Sequence, residues 1–414
     1  PEDFMTYYEK VLERYLQPGE KTILDVFQRT ARVLESDTHN LQSETLFELF
    51  SQSVFLPNSP TLANAGSTRG GCSACYVLPL EDSVEGIYRA AYNQAKVHAA
   101  FGGTGFDLSV IRPRGDRISS SGGEACGPCA VLEFLNQSAH LIRQGGKREG
   151  ANMGILYDDH PDLDEFISYK DSRPYIKHFN ISVGVHTNSV SDTDRNDLLY
   201  RIAEHSHATG DPGVIFVDRL NSSNRHVEEF GAIRATNPCG EQPLRPYECC
   251  NLGSINLSKF VQNGEFDYGS FSDTVSIATR FLDRIIDINN YPLPQIQETT
   301  LRTRKIGLGI MGWADALILM GISYQSSEAI DLIHEIGSTL WRTAETVSEE
   351  LGDLFGDYTC GTRRNETLIT IAPTGTLSYF AGCSGGIEPN FGWDIVRETE
   401  AGETIIKHPL YEKY

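Results

Sequence analysis

Short apolar runs alternating with helices of moderate length recur through residues 155–340, and this rhythm constrains the fold more than any other feature of the chain. It is the pattern of α/β architecture, in which helices cover a mostly parallel sheet. Stretches 274–288 and 328–350 read as amphipathic helices, and the β-branched stretch 367–372 reads as a strand running into Pro373-Thr374-Gly375-Thr376. Residues 1–56 read as helical, with apolar positions in 4–16, 23–34 and 46–54. Stretch 57–71, rich in Pro, Asn and Gly, is expected to be a loop. Beyond it come a short strand at 76–78, a helix cap at Asp82 or Ser83, and helices over 84–101 and 130–142. Stretch 143–150 is a basic, glycine-rich loop. Nothing forces a boundary, so the expectation is a helical region over 1–56 followed by one barrel-like α/β domain over 57–414.

Charge narrows the function. The 414 residues carry 56 acidic against 35 basic side chains, a net charge of −21. That balance argues against binding a nucleic-acid backbone and suits a small anionic ligand held in a local basic pocket. No apolar run is long enough to span a bilayer, and no signal peptide opens the chain, so a cytoplasmic protein is expected. The nine cysteines are odd in number and grouped: Cys72/Cys75, Cys126/Cys129, Cys239/Cys249/Cys250, Cys360 and Cys383. In a cytosolic chain such grouping points to redox or metal chemistry rather than structural disulfides.

Three motifs offer themselves as decoys. Gly307-Leu308-Gly309-Ile310-Met311-Gly312 matches a dinucleotide fingerprint, but Arg302-Thr303-Arg304-Lys305 before it is no buried strand, and tight strand-to-helix packing explains the glycines better. Cys126-Gly127-Pro128-Cys129 is the thioredoxin-type tetrapeptide at a helix start, without the flanks of a thioredoxin domain. An accessory disulfide or two buried thiols is the alternative. Cys72, Cys75, Cys126 and Cys129 could together bind zinc, though a gap of about fifty residues is long for a ribbon; no metal site is expected.

A different constellation carries the argument. Asn237-Pro238-Cys239-Gly240-Glu241 sets an amide, a thiol and a carboxylate on one tight turn. Flanked by Pro and Gly, the cysteine can sit at a fingertip, with neighbours able to hold and deprotonate sugar hydroxyls. A turn whose polar groups merely cap backbone fits equally well from these five residues. The turn followed by Cys250-Asn251-Leu252-Gly253-Ser254-Ile255-Asn256 closely resembles the finger loop and next strand of ribonucleotide reductases. Asn58-Ser59-Pro60-Thr61-Leu62, the run from Ser73 to Asp82, Pro373-Thr374-Gly375-Thr376 and Gly386-Ile387-Glu388-Pro389 resemble family motifs in family order.

The resemblance implies an oxidoreductase converting ribonucleotides, expected as diphosphates, to 2′-deoxyribonucleotides. Its fold would be a ten-stranded α/β barrel of two five-stranded parallel halves around a central finger loop. Cys239 would carry the thiyl radical, Glu241 would be the base at the 3′-hydroxyl, and Asn237 would bond the sugar hydroxyls. Cys75 and Cys250 would deliver two electrons and end as a disulfide, reopened by a thioredoxin- or glutaredoxin-like dithiol. Alternation along a strand lets only one of Cys249 and Cys250 face the interior, and family spacing favours Cys250. Ser59, Ala74, Thr374, Gly375, Thr376 and Leu377 match the substrate-binding residues; a turn opening a helix also suits an anion in its own right. Asp82, Arg112 and Arg148 match the site for a deoxynucleotide or ATP effector, and Arg143, Lys147 and Arg148 form a positive patch in that loop. A homodimer is implied.

Departures from the family pattern limit what carries over. Residues 1–56 are too short for the ATP cone of many relatives, which puts in doubt the expectation that ATP and dATP regulate overall activity. The family's late barrel strand and cysteine-bearing tail have no match, and both ends are expected to be trimmed. Tyr411 and Tyr414 are not an adjacent radical-transfer pair. The motif wording resembles adenosylcobalamin-dependent reductases, whereas the compact size resembles phage-type subunits served by a separate metal-containing radical subunit. The expectation leans to the separate subunit, with adenosylcobalamin as the alternative. The rivals from other classes are a thiol–disulfide oxidoreductase working through Cys126 and Cys129, and a non-catalytic zinc- and nucleotide-binding protein.

Overall fold

The computed structural model describes residues 12–68, 70–119, 122–142, 150–187, 192–224, 226–399, 402–408 and 410. They form two compact units, one comprising Pro1–Ala74, Cys250–Asn290 and Thr300–Tyr414, the other Cys75–Cys249 and Tyr291–Thr299.

In the first unit, helix α1, Ile23–Leu34, lies within the helical region expected from sequence. A reciprocal cap starts it: the Asp25 N–H donates to the Thr22 hydroxyl at 3.3 Å, and the Thr22 N–H donates to the Asp25 carboxylate at 2.8 Å. Val26, Phe27, Thr30, Ala31 and Leu34 recur at helical spacing and are buried. Helix α2, Ser43–Ser51, buries Leu46 and Phe50, and Phe50 meets Phe27 at 5.9 Å between ring centroids. Strand β1, Phe55–Pro57, follows. The expected loop over 57–71 is not all loop, because helix α3, Ser59–Asn64, lies inside it. Asn58 accepts the Thr61 N–H at 2.9 Å, and Pro60 sits in the first turn, where its missing N–H costs nothing. Proline and asparagine there are a helix start rather than a loop signal.

The second unit is a parallel sheet. Strand β2, Cys75–Val77, leads to α4, Val84–Ala99, capped by Ser83. Strand β3, Gly103–Asp107, leads to α5, Pro128–Leu141. Strand β4, Asn152–Tyr157, leads to α6, Leu163–Ile167; strand β5, Phe179–Val185, leads to α7, Asp192–Thr209, and then β6, Gly213–Phe216. The order β2-β3-β4-β5-β6 is parallel throughout, which is one expected five-stranded half. Phe106, Leu132, Leu135, Leu156, Phe166, Phe179 and Val183 are fully or almost fully buried in its core. Truncating any of those leucines to alanine would cost about 2–5 kcal/mol. A two-residue hairpin, β7 Ala235–Thr236 against β8 Pro243–Leu244, frames the Asn237–Glu241 turn.

Strand β9, Cys249–Asn256, carries the chain back into the first unit. There it pairs antiparallel with β1 and parallel with strand β10, Ile306–Met311. Between them helix α8, Tyr268–Ile288, starts six residues before the expected 274 because Asp267 accepts the Ser270 N–H at 3.0 Å. Helices α9, Trp313–Met320, and α10, Ser327–Phe355, follow β10. Stretch 367–372 does not become a ladder. It makes an isolated bridge from Ile369 to Leu308, with the Leu308 N–H donating to Leu368 at 2.8 Å. The chain then turns through Pro373 into the short helix α11, Leu377–Ala381, and ends in the hairpin of β11, Asp394–Thr399, and β12, Gly402–Lys407. The Gly307–Gly312 motif is resolved against dinucleotide binding: five of its six residues lie within the buried strand β10, not in a loop after it. A Cβ on Gly309 would stand 2.3 Å from the Thr370 carbonyl, so close backbone approach explains that glycine. No described helix is long and apolar enough to cross a membrane.

Candidate active site

The Asn237–Glu241 turn is held from within. The Asn237 N–H donates to Gln242 O at 3.1 Å, the Gln242 N–H donates to the Asn237 side-chain oxygen at 2.9 Å, and the Gly240 N–H donates to Asn237 O at 3.1 Å. Gly240 has φ +87°, a conformation that side chains resist. The turn therefore buries Asn237 and leaves Cys239 exposed at its tip. Beneath it, a Cβ on Gly105 of β3 would fall 1.7 Å from the Thr236 carbonyl, so glycine is obligatory there. Asn180 of β5 donates from its amide to Pro238 O at 2.8 Å, one residue before Cys239.

Three predicted residues meet within this second unit. The Asn237 amide donates to the Cys75 sulfur at 3.0 Å, and the Cys75 thiol lies 3.9 Å from a Glu241 carboxylate oxygen. Burial raises the Glu241 pKa above its usual range, against hydrogen bonds from Asn237, its own backbone N–H and Cys75 that pull it down. A carboxylate made more basic next to an amide and a thiol is equipped to take a hydroxyl proton. Cys249 packs into the hydrophobic core of the second unit, so alternation turns Cys250 to the opposite face of β9. Cys250 is buried, its thiol donating to Asn251 O at 3.3 Å.

Within the first unit, Tyr15 links the predicted phosphate-binding residue Ser59 to helix α11. Its hydroxyl shares a hydrogen bond with the Ser59 hydroxyl at 2.8 Å, and its ring lies 5.6 Å from that of Phe380 in α11. Thr374 has φ +53° and accepts the Gly386 N–H on its hydroxyl at 2.9 Å, closing the turn that continues through Gly375 and Thr376 to Leu377. The Ala74 N–H donates to Cys250 O at 3.2 Å.

Of the effector residues, Arg112 donates to Asp82 at 2.6 Å, both partly exposed, just ahead of α4. Arg143, Lys147 and Arg148 lie outside the described residues, as do Tyr411 and Tyr414. At the start of β4, Asn152 receives hydrogen bonds from Gln94 at 2.9 Å and Thr104, and shares one with His98 at 3.0 Å. Burial lowers the His98 pKa to about 4, and nearby His178 adds to this. Sequence reasoning missed Tyr15, Asn180 and this buried cluster. A polar Asn180 between Phe179 and Ile181 was a usable signal; Tyr15 gave none. The described residues that bring metal-ligand atoms together are His39, Asp283 and Asp287, but Arg304 already pairs with both carboxylates at 2.9 Å. That cluster is an ion-pair network.

Fold and turn define a class: an α/β protein presenting a thiol beside an amide and a carboxylate. Residues 73–190 and 185–362 match the model of the ribonucleotide reductase barrel domain, and residues 4–70 match that of the ribonucleotide reductase all-alpha domain. The chain belongs to the ribonucleotide reductase family. It is 43% identical over 399 residues to the vitamin B12-dependent ribonucleoside-diphosphate reductase of Thermoplasma acidophilum, covering 88% of this chain and 52% of that protein. A namesake from Mycobacterium tuberculosis is 37% identical, covering 97% of this chain and 64% of its own length. The chain thus spans between half and two thirds of these relatives. The class Id ribonucleotide reductase alpha subunit of Actinobacillus ureae has the same fold, with a TM-score of 0.80 at 23% identity over 100% of this chain and 78% of that one. The expected α/β fold class holds.

Proposed function

We propose that the chain forms the catalytic part of a ribonucleotide reductase, converting ribonucleoside diphosphates to 2′-deoxyribonucleotides. The observation that carries the reading is the contact of Asn237, Cys75 and Glu241 around a turn that exposes Cys239. A Cys239 thiyl removes the 3′-hydrogen of the ribose while Glu241 accepts the 3′-hydroxyl proton and Asn237 holds the sugar. The 2′-hydroxyl leaves as water. Cys75 and Cys250 give two electrons and two protons and become a disulfide, the 3′-hydrogen returns, and an outside dithiol reopens the disulfide. Ser59, Ala74 and residues 374–377 take the diphosphate; Asp82, Arg112 and Arg148 take a nucleoside triphosphate effector. Residues 1–56 serve as the leading helical region and 57–414 as the catalytic fold. Val84, Tyr88 and Tyr92 are 71%, 64% and 62% exposed on α4, which supports a homodimer through that helix.

For the radical source, two relatives named as B12-dependent favour adenosylcobalamin over the separate metal-containing subunit that compact size suggested. The exposed Cys239 thiol fits a radical donor approaching from outside the turn, and is the atom such a donor would act on. Bound adenosylcobalamin would supply the oxidising equivalent that takes the thiol hydrogen. The test is reduction of the four ribonucleoside diphosphates with dithiothreitol, with and without adenosylcobalamin. Turnover with the coenzyme alone supports this reading; turnover only after a metal-containing subunit is added selects the other source. Turnover surviving Cys239→Ser would remove the assignment.

A further inference from the structure

The proposed reaction leaves one cysteine motif unused. Pro128 opens α5, so Cys126 stands just ahead of the helix and Cys129 lies in its first turn. Their surroundings differ. Cys126 is exposed, whereas Cys129 is buried, its thiol pushed up to about 12 by burial and by nearby Glu165 and Asp162. A core pair would bury both sulfurs. One reachable thiol followed by one shielded thiol is the arrangement of an attacking and a resolving cysteine.

The turn is joined to the candidate effector site. A hairpin delivers Cys126, with the Gly115 N–H donating to Ala125 O at 3.0 Å and the Ala125 N–H to Asp116 O at 2.8 Å. Gly127, between the two cysteines, has φ +79°, and a Cβ there would lie 2.8 Å from the Asp162 carboxylate and 2.9 Å from Cβ of Arg114. The same Asp162 oxygen accepts the Arg114 N–H at 2.8 Å. Arg114 is two residues from Arg112, the partner of Asp82.

We propose that Cys126 and Cys129 form a reversible dithiol–disulfide pair whose state is felt at the Asp82–Arg112 pair. The second half of this statement rests on reading that pair as the effector site. The Cys126 thiolate attacks one sulfur of an outside disulfide, such as glutathione disulfide; a Cys126–S bond forms, the outside S–S bond breaks, and one thiol leaves. Cys129 then loses its proton to water and attacks the Cys126 sulfur, expelling the second thiol. Two protein thiols are oxidised by two electrons, and one disulfide is reduced to two thiols. Gly127 lies between the two cysteines and packs on Arg114 and Asp162, so a bond closed across this turn acts on that contact.

The intact protein is equilibrated in glutathione buffers from fully reduced to fully oxidised, quenched in acid, alkylated and mapped by peptide mass. Binding of dATP is measured in parallel by equilibrium dialysis. The expected result is a Cys126–Cys129 link that grows with oxidation, and a change in dATP affinity of at least about fivefold that Cys126→Ser abolishes. Failure to find the link in fully oxidised buffer overturns the redox pair. A link that leaves dATP affinity unchanged overturns its coupling to Arg112. Reduced protein that binds no dATP or other deoxynucleoside triphosphate removes the effector reading instead, and the mapping then decides the redox pair alone.

Discussion

Glu241 in the second unit and Asp283 in the first are both carboxylates withdrawn from water, and their environments push them in opposite directions. Around Asp283, burial opposes ionisation but is overcome by a hydrogen bond with His39, the guanidinium groups of Arg304 and Arg364, and the Asn365 amide, so its pKa falls to about 2. Arg304 contacts one carboxylate oxygen through two nitrogens at 2.9 and 3.0 Å, and Asn365 donates to the same oxygen at 2.8 Å. Around Glu241, burial prevails over hydrogen bonds from the Asn237 amide, its own backbone N–H and the Cys75 thiol. The lesson is that burial alone makes neither a structural nor a reactive carboxylate; the presence of matched positive charge decides.

Loss of the reactive group should have the largest effect. Glu241→Gln keeps the shape of the turn and removes the base, so kcat for nucleotide reduction should fall by roughly 10²–10⁴ while the melting temperature holds. The acid side of the wild-type kcat profile should also rise through a pKa above the ordinary glutamate range, because the base must be ionised. An unchanged rate in the variant would break the comparison on the Glu241 side.

Asp283→Asn should do the reverse. It leaves Arg304 and Arg364 without their buried countercharge and should cost about 3–5 kcal/mol in denaturant unfolding. Because the folded pKa is depressed, the wild-type contribution is complete above the ordinary aspartate value near 3.8 and is lost as pH falls through about 2. A variant of wild-type stability, or an acid transition without this component, would show that the cluster is not what lowers the pKa.

The smallest effect sharpens the picture of the turn. Asn180→Ala removes one hydrogen bond to Pro238 O, worth about 0.5–1.5 kcal/mol. If Asn180 positions Cys239, kcat should drop several-fold with KM for the diphosphate unchanged, and Asn180→Gln should restore part of it. Equal loss of stability and rate would mark Asn180 as structural only.

Much was legible locally. A cap ahead of α4, left open between Asp82 and Ser83, and the long amphipathic helices follow from residues a few positions apart. So does the tight Asn237–Glu241 turn, whose Pro and Gly announce it. The helix at Ser59 was hidden because Asn58 and Pro60 serve loops and helix starts alike. The strand at 367–372 failed because β-branched residues favour extension but a ladder needs a partner along its whole length.

By itself, the sequence determined the α/β alternation, the fingertip that offers Cys239 and the family motifs around it. Only the tertiary structure decided which residues touch: Cys75 against Asn237, 162 positions apart, Asn180 against Pro238, 58 apart, and Tyr15 against Ser59, 44 apart. It also decided which carboxylate becomes basic. Helix caps and turns are short-range and written in neighbouring residues, whereas a pKa and a positioning contact depend on charge and packing brought together from distant parts of the chain.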